Sequence, residues 1–261
     1  MVAQYSILGS LFANALLVLG AVIIAGAHQG GGVMRFGSRL PNDTATLLLL
    51  ATFGLVLLGI SDEVGDRASE HIEEISVIGA VVLLTVYAVW LFTYLRGNPP
   101  EAAAAPAHAR VPMPLAIALL ALAGVAAALV SDWFVHALGP AVDELGISRQ
   151  FTGLVIVAIA GNAVENVVGV VLAAKGQSDL AISVVKNSVA QIAVFLFPAL
   201  VLLSFFFDTH LTFVFPFVYV FALFLMAVAV WQVTGDGEAA TFEGAALVGL
   251  YAILAVLAWF E

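Results

Sequence analysis

The sequence predicts an all-α integral membrane protein with about eight transmembrane helices. Hydrophobic residues make up 63% of the 261 residues, charged residues make up only 10%, and the mean hydropathy is +1.12. Soluble domains carry about 25% charged residues, so a surface this apolar must face lipid. The apolar runs are about 20 residues long, which is the length of a helix that crosses a bilayer rather than of a barrel strand.

Eight apolar segments follow one another along the chain. Hydropathy places them at residues 3–27, 43–60, 74–95, 113–138, 150–174, 179–207, 211–233 and 242–260. Residues 97–112, between the third and fourth segments, are rich in proline and alanine and indicate a linker between two halves. The first half, residues 1–96, holds three segments, and the second half, residues 113–261, holds five.

Charge and composition limit orientation and partners. If the loop after the first segment is cytoplasmic, most basic residues lie inside, which is the usual arrangement. These residues are Arg35, Arg39, Arg96, Arg110 and Lys175. The N-terminus is then external, which suggests that further spans precede it. A net charge of −10 argues against a nucleic-acid partner, and the lack of cysteine excludes thiolate metal sites.

Glu165 is an acid near the middle of the fifth segment. A carboxylate at bilayer depth costs about 3 kcal/mol, so it requires a proton, a cation or a polar partner. Asn162 lies three residues earlier on the same helical face. Gly161 and Ala158 leave that face narrow, so that another backbone can approach. The segment predicts an intramembrane cation or proton site, and the alternative is a protonated acid that only joins helices.

The sixth segment carries a second group of polar residues. Asn187, Ser188 and Gln191 are predicted to share one helical face, where they supply oxygens for a hard cation or ordinary interhelical hydrogen bonds. Pro198 can kink this segment and free a backbone carbonyl. Lys186 either competes with a cation for Glu165 or extends its amine toward the cytoplasmic side, and we favour the second interpretation.

The first and fourth segments carry weaker signals. Ser6, Gly9, Ser10 and Asn14 form a small polar stripe at helical spacing, which by itself indicates a tight packing face. Asp132 and His136 lie one turn apart in the fourth segment. They either relay protons, because histidine titrates near neutral pH, or belong to an interfacial Trp/His cluster.

The run Gly161-Asn162-Ala163-Val164-Glu165 resembles the Gly-Asn-Ala-x-Glu signature of the calcium/cation antiporter superfamily, and within it the calcium/proton exchanger (CAX-type) family. Residues 179–204 resemble the helix after this signature. Residues 4–20 resemble the equivalent helix of the other repeat, and Ser131-Asp132 resembles a Ser-Glu pair at the start of the second repeat. The resemblance covers almost the whole chain in the right order.

The resemblance implies eleven helices, in which one leading helix precedes two inverted repeats of five joined by a cytoplasmic linker. The eight segments match the last eight helices, so we expect an incomplete inverted-repeat cation exchanger fold that lacks the first three. The first repeat's own Gly-Asn-Ala-x-Glu helix would be among them. We expect a truncated product, with helices supplied by another chain or a homo-oligomer as the alternative.

The resemblance also implies a function. It is secondary active exchange of calcium, or another divalent cation, for protons across a bacterial or archaeal plasma membrane, with no resident cofactor. The implied cation ligands are Glu165, Asn162, Ser188 and Gln191, and the implied proton pathway is Asp132, His136 and Glu165. Inorganic cations and the lipid bilayer are the implied partners.

Charge balance raises a difficulty, because one carboxylate does not neutralise a divalent cation and the chain alone is expected to be inactive. The alternatives are a sodium/calcium-type exchanger and a non-transporting scaffold in which Glu165 pairs with Lys186. An enzyme is disfavoured, since neither a His-Glu-x-x-His nor a Gly-x-Ser-x-Gly motif occurs.

Overall fold

The computed structural model describes residues 2–96, 112–208 and 210–260, except for the side chains of residues 2, 3, 128, 132, 135, 139, 143 and 145. The helices form eight consecutive spans. Span 1 is Val2–Phe12, a π-helical segment Ala13–Val18 and Leu19–Gln29; span 2 is Arg39–Val64; span 3 is a 3₁₀ turn Arg67–His71 and Ile72–Arg96; span 4 is Met113–Leu145. Span 5 is Arg149–Phe151, a π-helical segment Thr152–Val157, Ala158–Gly161 and Ala163–Ala174; span 6 is Ser178–Gln191, a π-helical segment Ile192–Leu196 and Phe197–Ser204; span 7 is Phe217–Thr234; span 8 is Thr241–Phe260.

Seven helices in the described chain are long and apolar enough to cross a membrane, and span 5 becomes an eighth when its two bent halves are counted together. Each predicted segment corresponds to one of these spans. The prediction of an all-α membrane protein with about eight transmembrane helices is therefore confirmed.

The boundary predicted for the seventh span is wrong by six residues, because the helix begins at Phe217 rather than at 211. Residues 210–216 are largely apolar but not helical. Two of their backbone N–H groups donate to serine side chains: the Leu211 N–H donates to Ser204 Oγ at 2.8 Å and the Phe213 N–H to Ser76 Oγ at 3.1 Å. Hydropathy alone does not separate such a buried extended segment from a helix.

A two-stranded antiparallel sheet closes one end of the bundle. Strand β1 (Val33–Arg35) follows span 1 and pairs with β2 (Glu238–Ala240), which follows span 7. Nearby, the Gly37 N–H donates to Asp179 Oδ1 at 2.6 Å and the Asn42 side chain donates to the Gly235 carbonyl at 2.9 Å. The loops after spans 1 and 7 and the start of span 6 therefore lie at the same end, as consecutive membrane crossings require.

Span 1 lies at the centre of the bundle, and glycines let two neighbours approach it closely. A Cβ on Gly20 would lie 2.6 Å from the Gly244 carbonyl oxygen in span 8, and one on Gly9 would lie 2.6 Å from Leu154 Cα in span 5. Span 4 is the opposite case. In its most apolar stretch, none of the residues whose side chains are described is buried against the rest of the protein.

Candidate cation site

Span 5 is broken at Asn162, halfway along its length. Asn162 has φ −107° and ψ 16°, and the helices on either side of it are bent by 58°. The second helix begins at Ala163, so Glu165 lies in its first turn. The positive end of a helix dipole favours a carboxylate at this position.

Asn162 is buried and links three spans. Its Nδ2 donates to Ser10 Oγ at 2.9 Å and to the Ala158 carbonyl at 2.7 Å, while its Oδ1 accepts from Asn14 Nδ2 at 3.3 Å. Asn14 Nδ2 also donates to Ser188 Oγ at 3.0 Å. Because a backbone carbonyl can only accept hydrogen bonds, this chain of contacts fixes the orientation of both amides. The network holds spans 1 and 6 against the break in span 5.

A crevice of about 470 Å³ opens beside this network, between spans 1, 5 and 6. The four predicted cation ligands all line it, together with Ser6 and Ser10; these four are Glu165, Asn162, Ser188 and Gln191. Glu165 is half-buried and makes no hydrogen bond or ion pair with any residue in the described ranges. Its carboxylate is therefore available to a ligand in the crevice.

The polar lining offers side-chain oxygens from one carboxylate, two amides and three hydroxyls, with no sulfur or imidazole among the described lining residues. Hard cations such as calcium take about six to eight oxygen ligands, so this donor set fits their chemistry. Within the described chain, no group of three or more His, Cys, Asp or Glu side chains is clustered as a metal site. A cation here would rely on Glu165 for its charge and on neutral oxygens for the rest.

Each of the three spans around the crevice contains a π-helical segment. The segments are Ala13–Val18 in span 1, Thr152–Val157 in span 5 and Ile192–Leu196 in span 6. Such wide turns are rare and often occur at functional sites. In span 6 the π-helical segment ends two residues before Pro198, which has no backbone N–H to donate, and span 6 continues as one span of 27 residues.

The sequence interpretation undervalued span 1. The stripe of Ser6, Ser10 and Asn14 indicated packing, but Ser6 and Ser10 line the crevice and Ser10 and Asn14 are direct partners of Asn162. The four-residue spacing of these polar side chains in an apolar run was the available signal. It did not show which other span the stripe faces.

Three predicted features lie elsewhere. His136 is exposed on span 4 and is not among the residues that line the crevice, and the side chain of Asp132 lies outside the described residues. The proton pathway through these two residues stays a prediction. Asn187 is likewise not among the lining residues, although it precedes Ser188. Gly161 has open space where a Cβ would project, so it faces the crevice and does not pack against another backbone.

The prediction that Lys186 extends its amine toward the cytoplasmic side is wrong. It is only 3% exposed, and its Nζ donates to Thr234 Oγ1 in span 7 at 3.3 Å. Residues 186 and 188 lie about 200° apart around a helix with 3.6 residues per turn, so Lys186 faces span 7 while Ser188 faces span 1. The lysine therefore neither snorkels nor forms an ion pair with Glu165.

Thr234 supplies the acceptor for this buried amine, and replacing it should destabilise the fold. Thr234→Val removes the hydroxyl and keeps the shape, which should lower the free energy of unfolding by about 1–3 kcal/mol. Thr234→Ser keeps the hydroxyl and is the control. Thermal unfolding in detergent should show a lower melting temperature for the valine variant than for the serine variant. Equal melting temperatures would contradict this role for Thr234.

A broken span that places an acid in a polar crevice at the middle of a helical bundle is the architecture of secondary transporters. Comparison with known proteins leads to the same class of protein. The profile of the sodium/calcium exchanger protein family matches residues 115–260. The chain therefore belongs to this family, and its relatives and structural neighbours place it in the CAX-type branch, which confirms the resemblance seen in the sequence.

Two curated relatives align with nearly the whole chain. The vacuolar calcium ion transporter of Schizosaccharomyces pombe is 32% identical over 270 residues, covering 99% of this chain and 65% of the yeast protein. The Ca(2+)/H(+) antiporter ChaA of Bacillus subtilis is 30% identical over 257 residues, covering 96% of this chain and 73% of the relative. The chain thus spans about two thirds of the length of these relatives.

Two solved structures share the fold. The structure of native YfkE matches with a TM-score of 0.81 and 26% identity, covering 100% of this chain and 75% of that chain. The crystal structure of the H+/Ca2+ exchanger CAX matches with a TM-score of 0.73 and 12% identity, covering 99% and 69%. At that identity the second match supports the fold alone.

Proposed function

We propose that this chain carries the cation site of a calcium/proton antiporter. The observation that supports this most directly is the carboxylate of Glu165, which has no partner among the described residues and lines the intramembrane crevice beside Asn162, Ser188 and Gln191. Glu165 would bind the cation directly. Ser188, Gln191 and Asn162 would contribute oxygens, and Asn162, which also donates its amide hydrogens to Ser10 and Ala158, would hold the site in shape.

Exchange follows from competition for one carboxylate. A cation binds the ionised form of Glu165, and a proton removes the charge that attracts the cation. The crevice would then be loaded with either a cation or a proton. If the occupied site opens to alternate sides of the membrane, movement of one ion in one direction is coupled to movement of the other in return.

A single acid leaves a bound calcium ion with one uncompensated charge. We infer that a second carboxylate comes from helices that this chain does not supply, either those of a longer product or those of another polypeptide. The proposed organisation is a partial first exchanger repeat at 1–96, a cytoplasmic linker at 97–112 and a second repeat at 113–261. Support comes from the site itself, which joins span 1 to spans 5 and 6 and so draws residues from both proposed repeats.

Two alternatives make different predictions. A sodium-coupled exchanger is compatible with an all-oxygen site, because sodium accepts similar ligands. A scaffold in which Glu165 pairs with Lys186 is disfavoured, because Lys186 donates to Thr234 on another face of span 6. The relatives include a bacterial antiporter and a vacuolar transporter, and we propose a bacterial or archaeal plasma membrane for this chain.

Transport can be tested in proteoliposomes. The purified chain would be reconstituted with an imposed pH gradient, and accumulation of radioactive calcium would be measured. Proton-coupled exchange predicts uptake that a protonophore abolishes and that a sodium gradient does not replace. Uptake driven by sodium alone would favour the sodium alternative. Calcium binding without uptake would indicate that the site needs the additional helices, whereas neither binding nor uptake would refute the proposal.

A further inference from the structure

A second cavity lies on the outside of the bundle, between spans 2 and 3. It is an apolar groove of about 430 Å³, and its walls and floor include Gly54, Leu57, Ile75, Val82 and Phe213. Leu57 and Val82 are exposed, whereas Phe213 is buried at the base. The groove therefore opens toward the surroundings of the helices, which in a membrane protein are the lipid chains.

A rigid turn separates the two spans at one end of the groove. Asp66 accepts hydrogen bonds from the Ser61 hydroxyl and from the N–H groups of Ala68 and Ser69. The hydrogen bond from Ser61, followed by those from the backbone, holds the pKa of this exposed carboxyl below its usual value. Ser61 and Ala68 themselves line the groove, so the turn fixes the distance between its walls.

The turn beside one end of the groove carries charges of both signs, although none of the described lining residues is itself charged. The segment 61–74 contains six acidic residues and one arginine, Arg67, which directly precedes the lining residue Ala68. Arg67 and Glu70 are both exposed. A headgroup with a phosphate and an ammonium can satisfy both signs, whereas a purely anionic headgroup meets a net negative rim.

We propose that this groove binds one acyl chain of a zwitterionic phospholipid of the phosphatidylethanolamine class. Its phosphate lies near Arg67 and its ammonium near the acidic rim. The acyl chain of the lipid occupies the space left open by Gly54, where a Cβ would have no atom within 4 Å. This site is separate from the Glu165 crevice and shares no lining residue with it.

Filling the groove tests the proposal. Gly54→Leu places a side chain in open space on a helix, and Gly54→Ala fills it only in part. Gly249→Leu is the matched control, because Gly249 is an exposed glycine in span 8 with no neighbour within 4 Å. Delipidated protein would be titrated with phosphatidylethanolamine or phosphatidylglycerol and analysed by native mass spectrometry. The melting temperature of each variant in detergent would be measured alongside, to show that differences in lipid binding do not come from unfolding.

The expected result is one phosphatidylethanolamine per wild-type chain, with binding at least about tenfold weaker in Gly54→Leu, a loss of about 1.4 kcal/mol. Gly54→Ala should be intermediate and Gly249→Leu unchanged. Equal binding by wild type and Gly54→Leu would overturn the site, and equal binding of phosphatidylglycerol would overturn the headgroup assignment. A wild-type dimer that Gly54→Leu dissociates would show that a second copy of the chain, rather than lipid, occupies the groove.

Discussion

Glu165→Gln should strongly weaken calcium binding, because it removes the charge and keeps nearly the same shape. Opposite charges at ligand distance attract by several kcal/mol even at an effective dielectric constant of about 20. Since about 1.4 kcal/mol corresponds to a tenfold change, affinity should fall by more than about 100-fold. The measurement is calcium titration of purified protein by calorimetry, with a melting curve to show that the variant is folded.

The matched control for this substitution is Glu63→Gln. Glu63 is an exposed acid in the last turn of span 2 and does not line the crevice, so the net charge of the protein changes equally in both variants. Wild type and Glu63→Gln should therefore bind calcium with similar affinity, whereas Glu165→Gln should bind it far more weakly. If both substitutions weaken binding alike, general surface charge would explain the affinity and the site assignment would fail.

The membrane spans and the unusual acid Glu165 were predictable because both violate the statistics of ordinary soluble chains. Long apolar runs allow only one kind of backbone in lipid, and an acid such as Glu165 in such a run must have a use or a partner. Asn162 followed from its helical spacing to Glu165. The break at Asn162 did not follow, because the local sequence Ala158–Glu165 contains no proline and is compatible with a continuous helix.

Contacts between distant spans were the part that sequence reasoning could not supply. Asn14 and Ser188 are separated by 174 residues, and neither residue indicates the other. The environment of Lys186 was mispredicted for the same reason. Its position two turns from the end of the span favoured a route to water, but the acceptor on Thr234 lies 48 residues away and holds the amine inside the protein. Helical periodicity predicts which residues share a face, whereas packing decides what that face contacts.

Gly9→Ala should destabilise the protein and loosen the cation site with a single methyl group. A Cβ at Gly9 would lie 2.6 Å from both Leu154 Cα and the Leu154 carbonyl oxygen, and 2.8 Å from the Gly153 carbonyl oxygen. These are backbone atoms, so they cannot rotate away as a side chain would. Spans 1 and 5 must separate, and overpacking of this kind costs about 1–3 kcal/mol. Thermal unfolding in detergent should show a lower melting temperature than wild type.

The same change at Gly249 provides the comparison. There a Cβ has no atom within 4 Å, so Gly249→Ala should stabilise span 8 by up to about 1 kcal/mol through helix propensity alone. The two identical substitutions should therefore have opposite signs. Gly9 directly precedes Ser10, whose hydroxyl accepts from Asn162. Separating spans 1 and 5 should thus also weaken calcium binding, whereas Gly249→Ala should leave it unchanged. A Gly9→Ala protein as stable as wild type, with unaltered calcium affinity, would show that the two spans do not depend on this close crossing to shape the site.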